Sequence, residues 1–488
     1  MRTLRVVPLL LVVFFSAPEL RAASTPGQIV EVRTTGADTN GGSFTQGASG
    51  TDYSQQAAAQ FSGTDLVIDG AVSTRVSSAS HTFVASDIGN FINVASGTGF
   101  NTGFFEILTI TAGAANVDRA VGTVGSTGGV WAEGGALQTI QKAFDSVSNT
   151  GSHFFLIWVK RTGTYTLTAK LTTAFANPDY GTFGIQAYDT TRGDSGRVSI
   201  TTATDSLPLW QPGNYLTWTQ FDFTNTAAVR AVAIAAPGFA STWSLGGFFN
   251  CTFDGFTAIF SVNGFFGSGN VSAVTFTRCE FKNSTVGPAF SIAGTFNFSY
   301  CNIHDNAGGG IITPEAGVDY FIGNTFARNA GIGLQVYVNA SGFMVNGNNF
   351  TDNTSDALRL AGSMTNRGDI LNNIFYNSGG YAINATYSLG GATPQFYGLN
   401  QNNAYGNNAS VNFFHFPAGT NDQTLTADPW VARASNNFAL NSTSGGGALL
   451  KAAGFPGVTF AGTGYLDIGA LQSQAAAAGG SASYMTIQ

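Results

Sequence analysis

The chain has 488 residues, enough for two or three domains or for one elongated repeat structure. Only 10% are charged, against about 25% in typical globular domains, while Gly reaches 63 and Phe 41, so the surface must be built mainly from Asn, Thr, Ser and Gly. A net charge of −7 with 20 basic residues leaves no electrostatic footprint for phosphate backbones and excludes nucleic acid as a partner.

The opening stretch MRTLRVVPLLLVVFFSAPELRAAS sets Arg2 and Arg5 ahead of an apolar run from Val6 to Phe15 and a small-residue region ending near Ala22 or Ala23. That pattern reads as a secretory signal over residues 1–23. The run is too short for a bilayer, which takes about 20 residues, and no later segment qualifies as a membrane span. The mature protein is therefore expected to be secreted, or held at the cell surface or in the periplasm. Residues 24–131 alternate apolar positions, among them Phe91, Ile92, Val94, Ile107, Leu108 and Ile110, which predicts a small β-rich module.

From 134 to 151 the spacing of Leu137, Ile140, Phe144 and Val147 predicts an amphipathic helix. HFFLIWV and GTYTLTAKL follow as strands rich in β-branched and aromatic residues. A helix in that position would cover the open end of a strand solenoid, whose last rung otherwise exposes unpaired backbone.

The solenoid itself is legible from residue 250 onward, where NCTFDGF, RCEFKNS, YCNIHDN, GNTFARN, GNNFTDN, NNIFYNS and NNAYGNN recur in register. Their fourth letters are Phe253, Phe281, Ile303, Phe326, Phe350, Phe375 and Tyr405, at intervals of 28, 22, 23, 24, 25 and 30. Two places earlier stand Cys251, Cys279, Cys301, Asn324, Asn348, Asn373 and Asn403. A period in the low twenties with a fixed aromatic phase implies one turn of strands and corners per repeat. The rings then form an interior ladder. The three cysteines, too few to pair off completely, fill one buried structural column rather than a metal site, since His304 lies on the other face.

The helix with Ile140, Gln141 and Ala143, the strand after it and Gly163-Thr164-Tyr165 resemble the opening of right-handed parallel β-helix proteins of the pectin-lyase-like superfamily, and the Asn-rich coils resemble that superfamily's repeats. Residues 24–131 resemble the β modules that precede β-helices in phage tail and bacterial surface proteins. The D-I-G-A string at 467–470 resembles the closing segment of exported bacterial β-helix proteins. The resemblance implies an all-β, single-stranded right-handed parallel β-helix with an N-terminal β module and a short capping helix. The helix would span residues 132–420, a C-terminal closing segment 421–472 and a flexible tail 473–488.

Hydrolases of that superfamily carry N-T-D, D-D, G-H-G and R-I-K motifs, and none occurs here. The candidate catalytic residues are instead Asp305, Arg328 and Asp352, two places after the aromatic on consecutive rungs. They would set an arginine between two carboxylates about 9.6 Å apart, near the upper limit of about 9.5 Å for inverting glycosidases. The guanidinium would lower both carboxyl pKa values, opposite to what a general acid needs. Candidate substrate-binding residues are His304, Arg359 and Gln335. Asp254, Glu280, Lys282 and His304 form a second possible cluster, and Tyr320, Tyr337, Tyr376 and Tyr387 are candidate stacking surfaces. The expected function is an exported, surface-associated scaffold with a polysaccharide or cell-surface glycan as partner and no cofactor or metal. The alternatives are a lyase or glycoside hydrolase on an acidic polysaccharide, with calcium in the lyase case, and a phage-derived tail component.

Overall fold

The computed structural model describes residues 27–147, 155–169, 171, 183–202, 206–207, 216–225, 232–235, 246–256, 258–261, 274–286, 290–291, 296–313, 319–337, 342–362, 367–386, 398–410, 412–454 and 467–470. The signal stretch 1–23, the tail 473–488 and Tyr387 lie outside them. Among the described residues, three long sheets of 12, 11 and 9 strands run side by side, and successive rungs pair in parallel. One rung reads Phe296–Ser299 in the first sheet, Asn302–His304 in the middle sheet and Ile311–Ile312 in the third, before the chain returns to the first sheet at Asp319–Ile322.

Inward positions stack like on like. Phe253, Phe281, Ile303, Phe326, Phe350, Phe375 and Tyr405 pair in register along the middle sheet. Phe326, Phe350 and Phe375 lie nearly parallel, with centroids 4.9 Å apart at both steps. A second ladder in the first sheet, Phe248, Phe276, Phe298 and Phe321, has centroids 4.8 to 5.6 Å apart. Such stacks add to the burial of the rings themselves.

The cysteine column is buried, as expected, but it stands at a corner just before each middle-sheet strand rather than within the strand. At this corner the chain leaves the first sheet through one left-handed residue, Asn250, Arg278, Tyr300, Gly323, Gly347, Asn372 or Asn402, with φ between 53° and 67°. The next residue is buried and binds backbone. Asn324, Asn348 and Asn373 each donate to the side-chain oxygen of the next rung's asparagine at 2.9 to 3.0 Å and to the carbonyls of Phe298, Phe321 and Val345. Their oxygens also accept from the main chain of the rung before. In the upstream rungs the thiols do part of this work: Cys301 Sγ donates to Phe276 O at 3.4 Å and Cys279 Sγ to Phe248 O at 3.3 Å. Burial pushes the Cys251 and Cys279 thiols well up, which makes them inert packing groups.

The far corner, after each middle-sheet strand, has the same design. Asn306, Asn329 and Asn353 form a second buried amide ladder, with Asn306 and Asn329 each donating to the next oxygen at 2.9 Å. The residue before each, Asp305, Arg328 or Asp352, is again left-handed, as are Asn283, Asn377 and Asn407 at the same corner of other rungs.

Both ends depart from the expected layout. The strand Gln28–Val32, inside the stretch assigned to the N-terminal module, pairs in parallel with Phe155–Lys160 and is the outermost rung of the solenoid. A closed six-stranded barrel, Phe61 to Glu133, is inserted after it. In the barrel Leu108 turns to solvent because the register shifts between Ile107 and Thr109. The cap helix is Ile140–Ser146, shorter than 134–151, because Gly134 and Gly135 are left-handed and Leu137 pairs as a bridge with Val32; residues 148–151 are outside the described set. Thr139 caps it, and Asp38 accepts from Gln138 N and Thr139 N. Leu137, Ile140, Phe144 and Val147 are buried against the first rungs.

The C-terminal segment was expected to close the last coil. Among its described residues Gln423–Thr424 does so, as the final middle-sheet strand. The hairpin Trp430–Ala432 and Asn437–Leu440, the helix Gly447–Leu450 and Asp467–Ala470 turn back along the outer face of the middle sheet. There Trp430, Phe438, Leu440 and Ile468 cover Ala327, Ile374, Tyr376 and Ala404. The D-I-G-A string bonds to two rungs, Gly469 N to Asn372 O and Ala470 N to Asn349 Oδ1.

Two outcomes follow from the core. Phe326→Ala, which removes a ring stacked on Phe350, should lower the unfolding free energy by about 3–5 kcal/mol in urea titrations. Asp319 points into the core with Oδ2 unpartnered, and burial pushes its carboxyl up to about 7. The folded chain therefore holds this proton more tightly than the unfolded chain, whose Asp titrates near about 3.9, so stability is lost as pH rises from about 4 to about 7. Thermal melts of Asp319→Asn across that window should show the loss removed.

Candidate functional site

Asp305, Arg328 and Asp352 occupy successive left-handed corner positions, with φ of 56°, 52° and 55°. This geometry turns their side chains outward at the edge of the middle sheet. The arginine does not sit evenly between two carboxylates. Arg328 Nε and Nη2 donate to Asp305 Oδ1 and Oδ2, both at 2.8 Å, and Nη2 also reaches Asn436 Oδ1 at 2.7 Å. Asp352 is instead paired with Arg433 at 3.0 Å and accepts from Asn377. The covering C-terminal segment supplies Arg433 and Asn436, so it splits the expected triad into two separate ion pairs.

Upstream of that cover, among the described residues, the outer face carries successive groups of polar contacts. His304 is only 4% exposed despite its outward direction. Its Nδ1 lies 2.6 Å from Asp305 Oδ2 and its Nε2 3.0 Å from Glu280 Oε1. Lys282 Nζ donates to Glu280 Oε2 at 2.9 Å. From the same rung Asn283 Nδ2 donates back to Asp254 Oδ1 at 2.7 Å, and further upstream Arg197 pairs with Asp222 while donating to Thr252 Oγ1 at 2.8 Å. Asp254, Glu280, Lys282 and His304, a second possibility in the sequence, thus come together with Asp305 and Arg328 in one strip. Gln335 and Arg359 do not join it. They pair in register on the third sheet, where Arg359 is held by Asp356 at 2.6 Å.

The electrostatics of the strip are those of satisfied pairs. Glu280 is held down to about 2, first by the hydrogen bond from His304 and then by Lys282, against the effect of burial. Burial opposes ionisation of Asp305, yet the hydrogen bonds from Arg328 and His304 outweigh it and lower its pKa. Arg328 is raised by its bond to Asp305. A general acid would need the opposite shift. Among the described residues the carboxyls pushed upward are Glu133, Asp319 and Asp422, none of them on the strip. Tyr376 is buried under Trp430 and offers no stacking surface, whereas Tyr300, not singled out in the sequence, is 57% exposed at the corner that leads into the strand of His304. A cavity of about 630 Å³ lies elsewhere, between barrel and cap helix, where Asp38 and Asp145 face Arg119 and Lys142.

Residues 242–414 match the family described as right handed beta helix region. The solenoid is thus a right-handed parallel β-helix, as the resemblance to the pectin-lyase-like superfamily implied. Among solved structures the chain is similar to pectate lyase Pel9A, with 15% identity over 69% of this chain and 91% of that one at a TM-score of 0.42. It is also similar to the periplasmic alginate epimerase AlgG, with 11% identity over 58% of this chain and 81% of that one at a TM-score of 0.27. No curated protein matches the chain. Among the described residues no helix is long and apolar enough to cross a membrane.

The depressed Glu280 carboxyl has a measurable consequence. Its stabilising contacts are fully present above the unfolded Glu value of about 4.3 and are lost as pH falls through about 2. Acid-unfolding curves of Glu280→Gln should therefore be shallower than those of the parent over that window.

Proposed function

We propose that the chain is an exported β-helix scaffold that binds a polysaccharide along the open, upstream part of the middle sheet's outer face. The observation that carries this reading is the strip's periodicity. Two outward columns, Asp222, Thr252, Glu280 and Asn302 in one and Thr224, Asp254, Lys282 and His304 in the other, set hydrogen-bonding side chains on successive rungs at the spacing of about 4.8 Å dictated by strand pairing, until the C-terminal segment walls them off. Polar side chains at a constant interval suit a polymer of regular units, which meets a donor or an acceptor at each step along the rungs.

Tyr300 supplies the apolar surface that hydrogen-bonding groups lack. Its ring lies across Gly323 of the next rung, where an added Cβ would stand 2.7 Å from Tyr300 Cδ1, so only glycine lets the ring lie flat there. Sugar rings present apolar faces together with hydroxyls, and an exposed ring beside fixed polar groups suits both. Because most charges on the strip are already paired within the protein, Asp222 with Arg197, Glu280 with Lys282 and His304, and Asp305 with Arg328, recognition rests on hydrogen bonds and stacking and is only weakly sensitive to salt. The paired, low-pKa carboxyls favour binding over lyase or hydrolase chemistry. Export rests on residues 1–23, which lie outside the described set.

Affinity electrophoresis against neutral and uronate polysaccharides tests the reading. At least one polymer should retard the protein, with little change on adding salt. Tyr300→Ala should weaken that retardation about tenfold, equivalent to roughly 1.4 kcal/mol. Absence of retardation across the panel would remove the proposal, and release of unsaturated or reducing ends would replace it with the catalytic alternative.

A further inference from the structure

The N-terminal barrel encloses three titratable side chains that the solenoid does not use. Asp87 closes the short turn Ala85–Asp87, His81 lies six residues before it, and Glu133 ends the strand Thr127–Glu133. Asp87 and Glu133 are both 0% exposed. His81 Nε2 lies 2.9 Å from Asp87 Oδ2, which also accepts from Val84 N at 2.8 Å. The imidazole is held flat against the ring of Phe61, with centroids 3.6 Å apart, and edge-on to Phe83. Asp87 Oδ1 and both oxygens of Glu133 are buried with no hydrogen-bond partner. One ligand atom from each of the three residues lies within 4.8 Å of the other two.

Protonation alone does not resolve this arrangement. An ionised Glu133 would bring a second buried negative charge beside Asp87, and an unpaired buried charge is strongly disfavoured. A proton on Glu133 would remove that second charge. Yet a neutral carboxyl carries a hydroxyl that needs an acceptor, and neither Glu133 oxygen has a partner within hydrogen-bond distance. A cation between the three groups would satisfy the orphaned oxygens and balance both carboxylates at once.

The geometry points to a divalent-cation site of the zinc and manganese class inside the barrel, with His81 Nε2 and one carboxylate oxygen each from Asp87 and Glu133 as ligands. The imidazole sets the class, because calcium and magnesium favour all-oxygen shells, whereas zinc takes imidazole and carboxylate together and manganese tolerates the same mixture. Ligands held about 2.0–2.2 Å from one ion lie at most roughly 4.4 Å apart. In the tetrahedral shell usual for zinc the separation is roughly 3.4 Å, so ligand atoms now within 4.8 Å of one another would close up as the ion binds. The ion would tie the loop holding His81 and Asp87 to the barrel's last strand, directly before Gly134 and Gly135 lead into the cap helix. Its role would be structural, at the junction of barrel and solenoid.

The test uses the full chain, freed of metal with a chelator, dialysed, and supplied separately with Zn²⁺, Mn²⁺ or Ca²⁺. Elemental analysis should find one Zn²⁺ or Mn²⁺ per chain, with a raised Tm for these ions and none for Ca²⁺. Glu133→Gln and His81→Gln should each weaken binding at least tenfold while keeping the parent's circular dichroism spectrum, and His304→Gln should bind as the parent does. No stoichiometric metal in the parent, equal binding by both barrel variants, or stabilisation by Ca²⁺ alone would each overturn the site.

Discussion

Every rung of this solenoid must turn out of one sheet and into the next while its backbone polar groups are buried, and that constraint governs the rest of the structure. A buried N–H or carbonyl without a partner costs about as much as a lost hydrogen bond. The solution at both edges of the middle sheet is a two-residue corner. One residue adopts the left-handed conformation, and the next turns a side-chain amide inward to serve the backbone of its own rung and of its neighbours. An amide can do this because it carries two donors and an acceptor with two lone pairs. A thiol is a partial substitute. Cys301 reaches the Phe276 carbonyl much as Asn324 reaches that of Phe298, but sulfur is a weak acceptor for the neighbouring main chain.

The corners also explain where charge can stand. The left-handed position projects away from the core, so it is filled by Asn and Gly where conformation decides and by Arg278, Asp305, Arg328 or Asp352 where the side chain finds a partner. Charged residues are few in this chain, and those at the middle-sheet edge are almost all consumed in pairs. Such a surface has little free electrostatic pull on a distant ligand. What it does present is regular spacing, which is why the proposed binding mode is a polymer laid along the rungs.

The two non-repeating parts act on the repeat from opposite ends. The barrel and cap helix cover the first rung, with Asp38 holding the helix start and Arg192 bridging Glu31 and Asp52. The C-terminal segment lies lengthwise rather than across the end. By covering Ala327, Ile374, Tyr376 and Ala404 it sets off a sealed downstream half of the middle sheet from an upstream half that none of its described residues covers. The extent of any binding surface is thus set by a segment remote in sequence from the strands it covers.

The periodic part was legible because the same physical demand recurs once per rung: Phe253 through Tyr405 and Cys251 through Asn403 mark the inward strand position and the first corner without any knowledge of the fold. The second amide ladder, Asn306, Asn329 and Asn353, repeats just as regularly three places after the aromatic, and it could have been read the same way. The sequence by itself therefore determined the rung, its pitch and its interior, since stacked copies of one unit have only one way to bury the same side chains. Tertiary structure alone decided that Arg433 would take Asp352 from Arg328, that His304 would be enclosed by Glu280 and Asp305, and that His81, Asp87 and Glu133 would meet inside a barrel. Those contacts depend on where non-repeating segments come to rest, and no period in the chain encodes that.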